Sequence, residues 1–81
     1  MNELDDRELI KFRGQVGERI QNARRKRFWS QEKLSQLTGL SQGQISRIEA
    51  GERSVSLYSI VKIATALRMN LEYFVYTPLG H

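Results

Sequence analysis

Within residues 31–50 a glycine separates two short apolar repeats, and that arrangement leaves this chain few ways to fold. Leu34 and Leu37 put one apolar face on a short helix starting at Gln31, and Ser30 stands where its N-cap belongs. Gly39 follows, suited to the left-handed backbone that ends a helix. Leu40 points back into a core, and Ser41 can cap a second helix. In that helix Ile45 and Ile48 face inward, while Gln42, Gly43, Gln44, Ser46 and Arg47 remain outside. Two short helices joined tightly through a glycine make a helix-turn-helix.

Gln31, Leu34, Ser35, Gly39, Leu40, Ile45, Ile48 and Glu49, followed by Gly51, resemble the helix-turn-helix of the phage lambda repressor and Cro (XRE-type) family. Ser35 stands where that family usually has alanine, and serine is small enough for the same close helix contact. The likeness runs from about Val16 to Leu71. It implies an all-α fold, a compact five-helix DNA-binding domain over 16–76, with a partly helical N-terminal extension over 1–15 and a tail over 77–81. It implies that the second helix of the motif enters the major groove of duplex DNA and reads bases. It also implies a structural ion pair. Where the family has an arginine paired with a glutamate at the end of the recognition helix, this chain has Arg24 and Glu49.

The chemistry of the outward face supports the same reading independently. Glutamine can make paired hydrogen bonds to adenine and arginine to guanine. Gln42, Gly43, Gln44, Ser46 and Arg47 are therefore the expected base-reading set, with Gly43 letting the helix approach the groove closely. Ser30, Gln31, Ser41, Arg53 and Arg25 are the expected phosphate contacts, aided by backbone amides at helix starts. The alternative for Gln42, Gln44 and Arg47 is a solvated polar face.

Charge favours a polyanionic partner. The chain of 81 residues carries a formal +4, and that charge is unevenly placed. Glu3, Asp5, Asp6 and Glu8 against Arg7 give the first ten residues −3, so the remainder carries +7. There is no cysteine, hence no disulfide and no thiolate ligand or nucleophile. The single histidine, His81, is terminal, and no catalytic or metal-ligand constellation is visible, so no enzyme, metal or cofactor is expected. No apolar run approaches the ~18 residues of a membrane span. With no signal-peptide pattern at the acidic start, the cytoplasm is the default compartment.

Taken in order, Asp5 and Glu8 have the spacing of a capping box. Leu9, Phe12, Val16, Ile20 and Ala23 form a helical stripe ending near Arg27. Residues 5–15 are either a helical extension or a separate turn, and Gly14 and Gly17 weigh against one continuous helix. Arg25, Lys26 and Arg27 read as exposed charge, and Trp29 as core. Phe28 and Arg68 occupy positions where the family commonly has glycine. Ser56 can cap a fourth helix whose Leu57, Ile60, Val61, Ile63, Ala64 and Leu67 supply core. Asn70 can cap a last helix holding Leu71, Phe74 and Val75.

A lone recognition helix reads only a few base pairs, so a homodimer on a pseudo-palindromic operator is expected. Met69, Tyr73, Val75, Tyr76 and Leu79 offer apolar area for the dimer interface. The alternative use of that stretch is a site for another protein, as in an antitoxin subunit that binds a toxin. The family's stand-alone regulators also include restriction-modification controllers and Cro-like repressors, and the sequence does not choose among them.

Overall fold

Asp6 and Glu8 at the start of the first helix, and Arg24, Arg25 and Lys26 at its end, complement the helix dipole. The computed structural model describes residues 6–76, and α1 runs unbroken from Asp6 to Lys26. The segment from residue 6 to 15 is thus the first part of α1, not a separate turn. Asp5, and the tail 77–81 with Leu79, lie outside the described residues.

Two glycines inside a helix should weaken it, and the packing explains one of them. A Cβ on Gly17 would lie 2.2 Å from the carbonyl oxygen of Ile48 and 2.7 Å from that of Glu49. The glycine lets α1 touch the end of α3 backbone to backbone. Gly14 borders the same contact, since a Cβ on Gly51 would lie 2.9 Å from the Gly14 Cα. Gly51 itself has φ +74°, so it has two reasons to be glycine. The Arg13 Nε donates to the Gly51 carbonyl at 2.7 Å and fixes the same junction.

After α1, α2 spans Gln31–Thr38 and α3 spans Gln42–Glu49. Ser30 caps α2 by accepting from the Lys33 amide, and Gly39 closes it at φ 79° with its amide donating to Ser35. Ser41 and Gln44 form a reciprocal capping box at the start of α3. Leu34, Leu40, Ile45 and Ile48 are buried as expected. Leu37 is not; it is half-exposed, and Thr38 takes the inward place. Neighbouring helices cover only one side of so short an element, and the inward line is Leu34 and Thr38, four residues apart. The Thr38 hydroxyl is satisfied by donating to the Leu34 carbonyl at 2.8 Å, so burying it costs little.

Then α4 spans Leu57–Leu67, capped by Ser56, and α5 spans Leu71–Val75. Ile60, Ile63, Ala64 and Leu67 face the core, whereas Leu57 is 71% exposed and Val61 43%. Apolar residues surround most of α4, and such a pattern does not reveal which side faces inward. Leu9 also stays half-exposed, because it lies before the part of α1 that the other helices cover. Asn70 occupies the N-cap position of α5, yet its side chain makes no capping hydrogen bond. Phe74 is fully buried in the core, where α5 packs against α1 and α4. Among the described residues there is no strand.

Both expected departures from glycine are real. Phe28 has φ 58° and Arg68 φ 56°, a backbone that costs a side-chain-bearing residue about 1–2 kcal/mol. The Phe28 ring is 96% exposed, so no burial offsets that cost. Arg27 is not simply exposed charge. Its guanidinium donates to the carbonyls of Ala23 and Leu67, tying the end of α1 to the end of α4, and lies 5.9 Å over the ring of the half-buried Trp29.

The two helical glycines should respond oppositely to alanine. At Gly14 a Cβ meets nothing within 4 Å, so Gly14→Ala should gain about 0.5–1 kcal/mol from helix propensity. At Gly17 a methyl group would drive α1 and α3 apart, at a cost of about 1–3 kcal/mol. Thermal melts of the two variants check this; a Gly17→Ala protein as stable as wild type would contradict the backbone contact.

Candidate nucleic-acid interface

Glu49, the last residue of α3, is a buried carboxylate, its side chain only 1% exposed. Such a charge is costly to desolvate unless donors surround it. They do. Arg24 from α1 grips it with two bonds, Nε to Oε2 at 2.7 Å and Nη2 to Oε1 at 2.8 Å. Gln31, the first residue of α2, donates its amide to Oε1 at 3.0 Å, and Gln21 approaches the same oxygen at 3.5 Å. Hydrogen bonding to Glu49 raises the Arg24 pKa above its ordinary value against the opposing effect of burial, and the Glu49 charge adds to the rise. The third Arg24 nitrogen donates to the Trp29 carbonyl at 2.7 Å. The expected Arg24–Glu49 pair is therefore present and forms the centre of a larger network. Gln21 lies one helical turn before Arg24 on the same face of α1, a spacing that could have revealed it. Nothing in the sequence signals the Gln31 contact.

This network holds the start of α2 against the end of α3, and so fixes how α3 presents its outer face. Gln42, Gly43, Ser46 and Arg47 are exposed there, while Ile45, Ile48 and Glu49 lie beneath. Gln44 stands apart from the other four. It is half-buried, and its carboxamide oxygen accepts from the Ser41 amide at 2.9 Å in the capping box. Much of its hydrogen-bonding capacity serves α3 itself.

The expected phosphate contacts fall into three places. Ser30 and Gln31 sit at the start of α2, and Ser41 at the start of α3, where free amides and the helix dipole favour anions. The hydroxyls of Ser30 and Ser41 each accept from an amide of the following turn, so both help to order these starts. Arg53 is exposed in the loop between α3 and α4, and Arg25 is exposed at the end of α1.

At the carboxyl-terminal side, Tyr73, Val75 and Tyr76 are exposed and Met69 is half-buried. Arg19 donates to the carbonyls of Phe74 and Tyr76 at 3.2 and 2.8 Å, holding the end of α5 to α1. The sequence reading missed a second apolar surface, Leu57, Tyr58 and Val61 on the outer side of α4. Among the described residues no acidic or histidine cluster could hold a metal ion, and no helix is long and apolar enough to cross a membrane.

Comparison with known proteins places this geometry. Residues 20–74 match the HTH_3 helix-turn-helix family. The chain is 32% identical over 74 residues to an uncharacterized transcriptional regulator in the ATPase CF(0) region of Rhodospirillum rubrum, covering 91% of this chain and 68% of that protein. It is also 32% identical over 59 residues to the HTH-type transcriptional regulator SutR of Escherichia coli. That match covers 73% of this chain but only 33% of SutR, so the chain spans about a third of that regulator's length. Among solved structures, the restriction-modification controller protein C.AhdI of Aeromonas hydrophila aligns with TM-score 0.74 at 35% identity, covering 76% of this chain and 94% of that one. An HTH_3 family transcriptional regulator of Vibrio cholerae aligns with TM-score 0.76 at 32% identity, over 80% of this chain and 36% of that one.

Removing Glu49 leaves Arg24 buried without its countercharge. Glu49→Ala should lose about 3–5 kcal/mol of stability and melt well below wild type in the absence of DNA. An unchanged melting temperature would show that the pair contributes nothing to holding α1 and α3 together.

Proposed function

The chain belongs to the helix-turn-helix family of DNA-binding transcriptional regulators of the lambda repressor and Cro type, and from that membership we propose that it binds an operator as a homodimer, each copy placing α3 in a major groove. One observation carries the reading. The outward face of α3 bears Gln42, Ser46 and Arg47 free of the core, on a helix locked at its far end by Arg24 and Glu49. Those side chains offer the paired donors and acceptors that discriminate base edges. In this reading Gln42, Gly43, Gln44, Ser46 and Arg47 form the base-reading set, with Gln44 reduced to a supporting part. Ser30, Gln31, Ser41, Arg53 and Arg25 hold the backbone on either side. Contacts of this second kind set register without specifying sequence.

Residues 16–76 act as the DNA-binding domain, and the start of α1 is an added segment. Among the regulatory settings open to such a protein, the Aeromonas controller favours a place beside a restriction-modification system. Identifying the genes adjacent to this one tests that setting.

Two-fold pairing doubles the bases read and sets half-sites about one helical turn, roughly 34 Å, apart. Tyr73, Val75 and Tyr76, with Met69 as neighbour and Leu79 beyond the described residues, supply the interface in this reading. Exposure of Tyr76 at 62% supports it. The apolar surface at Leu57, Tyr58 and Val61 is the competing face.

Two measurements check these roles. On a duplex selected by the wild-type protein from a randomised pool, Arg47→Ala or Gln42→Ala should weaken binding by about 1–3 kcal/mol and flatten the base preference. A loss of affinity with the base preference intact would remove these residues from readout. In sedimentation at micromolar concentration the wild type should be a dimer and Tyr76→Asp shifted toward monomer. If Tyr58→Asp dissociates the dimer and Tyr76→Asp does not, the interface lies on α4; a monomeric wild type rejects the dimer altogether.

A further inference from the structure

Position 43 is the one place on the outward face of α3 without a side chain, and the structure shows what fills the space. Side chains on a helix lean toward its amino terminus, so each covers the turn before it. Arg47, four residues on, does this over Gly43. A Cβ on Gly43 would lie 3.4 Å from one terminal nitrogen of the Arg47 guanidinium, 3.7 Å from the other and 3.9 Å from the carbon between them. These are the three nearest atoms to that point. The backbone gives no competing reason for the glycine, because among the described residues the glycines with positive φ are Gly39 and Gly51. Glycine also weakens a helix, and α3 has only eight residues.

We propose that Gly43 is a positioning residue for Arg47. The bare backbone at 43 lets the guanidinium fold back to the level of Gln42, at the leading end of α3. There it turns its planar fork outward toward the O6 and N7 of a guanine. Gly43 and Arg47 then act as one unit that reads a G·C pair. An alanine methyl at 43 would rest against the guanidinium at ordinary contact distance, whereas any γ atom directed over the same turn would take its place. This proposal rests on the reading of α3 as the helix that enters the groove. It differs from the simpler idea that position 43 is bare so that DNA can pass close to the helix.

A double-mutant cycle separates the two ideas. The variants are Gly43→Leu, Arg47→Ala and the pair, with binding measured on the duplex selected by wild type from a randomised pool and on duplexes substituted at each G·C pair. Gly43→Leu should melt at or above the wild-type temperature and bind about 5–100-fold more weakly. It should lose discrimination at the same base pair as Arg47→Ala, and add little further loss in the Arg47→Ala background. An equal loss from Gly43→Leu in both backgrounds would overturn the proposal in favour of close DNA approach, and no loss in either background would also overturn it. If Arg47→Ala itself leaves base preference untouched, or no specific duplex is selected, the reading of α3 fails and this proposal with it.

Discussion

The carboxylate of Glu49 is the point on which the rest of this structure depends. Its side chain is nearly inaccessible to water, and Arg24, Gln31 and Gln21 supply the donors that replace hydration. No buried side-chain polar atom among the described residues lacks a partner. A fully satisfied network of this kind fixes geometry more than it adds net stability, because the favourable contacts first have to offset desolvation. What it fixes is the relation among three elements. Arg24 belongs to α1, Gln31 opens α2 and Glu49 closes α3, so the two helices of the motif share one anchor.

The backbone contact at Gly17 works at the same place by a different means. With no Cβ between them, α1 and the end of α3 meet at their peptide groups. The Arg13 bond to Gly51 then holds the start of the following loop, which carries Arg53. Apolar burial by Val16, Ile20, Ile45, Ile48 and Phe74 supplies the driving force for assembly. It does not by itself specify the angle at which α3 is held, which the proposed base readout needs. Glycine contact and ion pair supply that precision at one end of α3, while Gln42, Gly43, Ser46 and Arg47 stay exposed on its outer face.

On the outer face of α3, some polar residues serve folding and the others are left for the proposed recognition. Ser41 and Gln44 serve the cap. Gln42, Ser46 and Arg47 have no such task and remain exposed. Two glutamines two residues apart in sequence thus do different work, because the residue three after an N-cap reaches the capping amide and the residue directly after it does not.

Local chemistry made much of this legible in the sequence. Serine before an apolar repeat gives a helix start, and glycine at 39 gives a stop. Spacing of three and four places Leu34, Ile45, Ile48 and Ile20 inside. These effects act within about one helical turn, so residue order determines them. The Arg24–Glu49 pair spans 25 positions and was legible only through resemblance to the family. Tertiary structure decided the rest. Only packing selects which side of the apolar α4 turns inward, sending Leu57 and Val61 out, and why Thr38 displaces Leu37. Only the approach of α3 turns Gly17 from a helix breaker into a contact surface, and only the fold of Arg47 over Gly43 assigns that glycine a neighbour. In each case the determining partner lies on another helix or depends on a side-chain rotamer, and neither is encoded in local spacing.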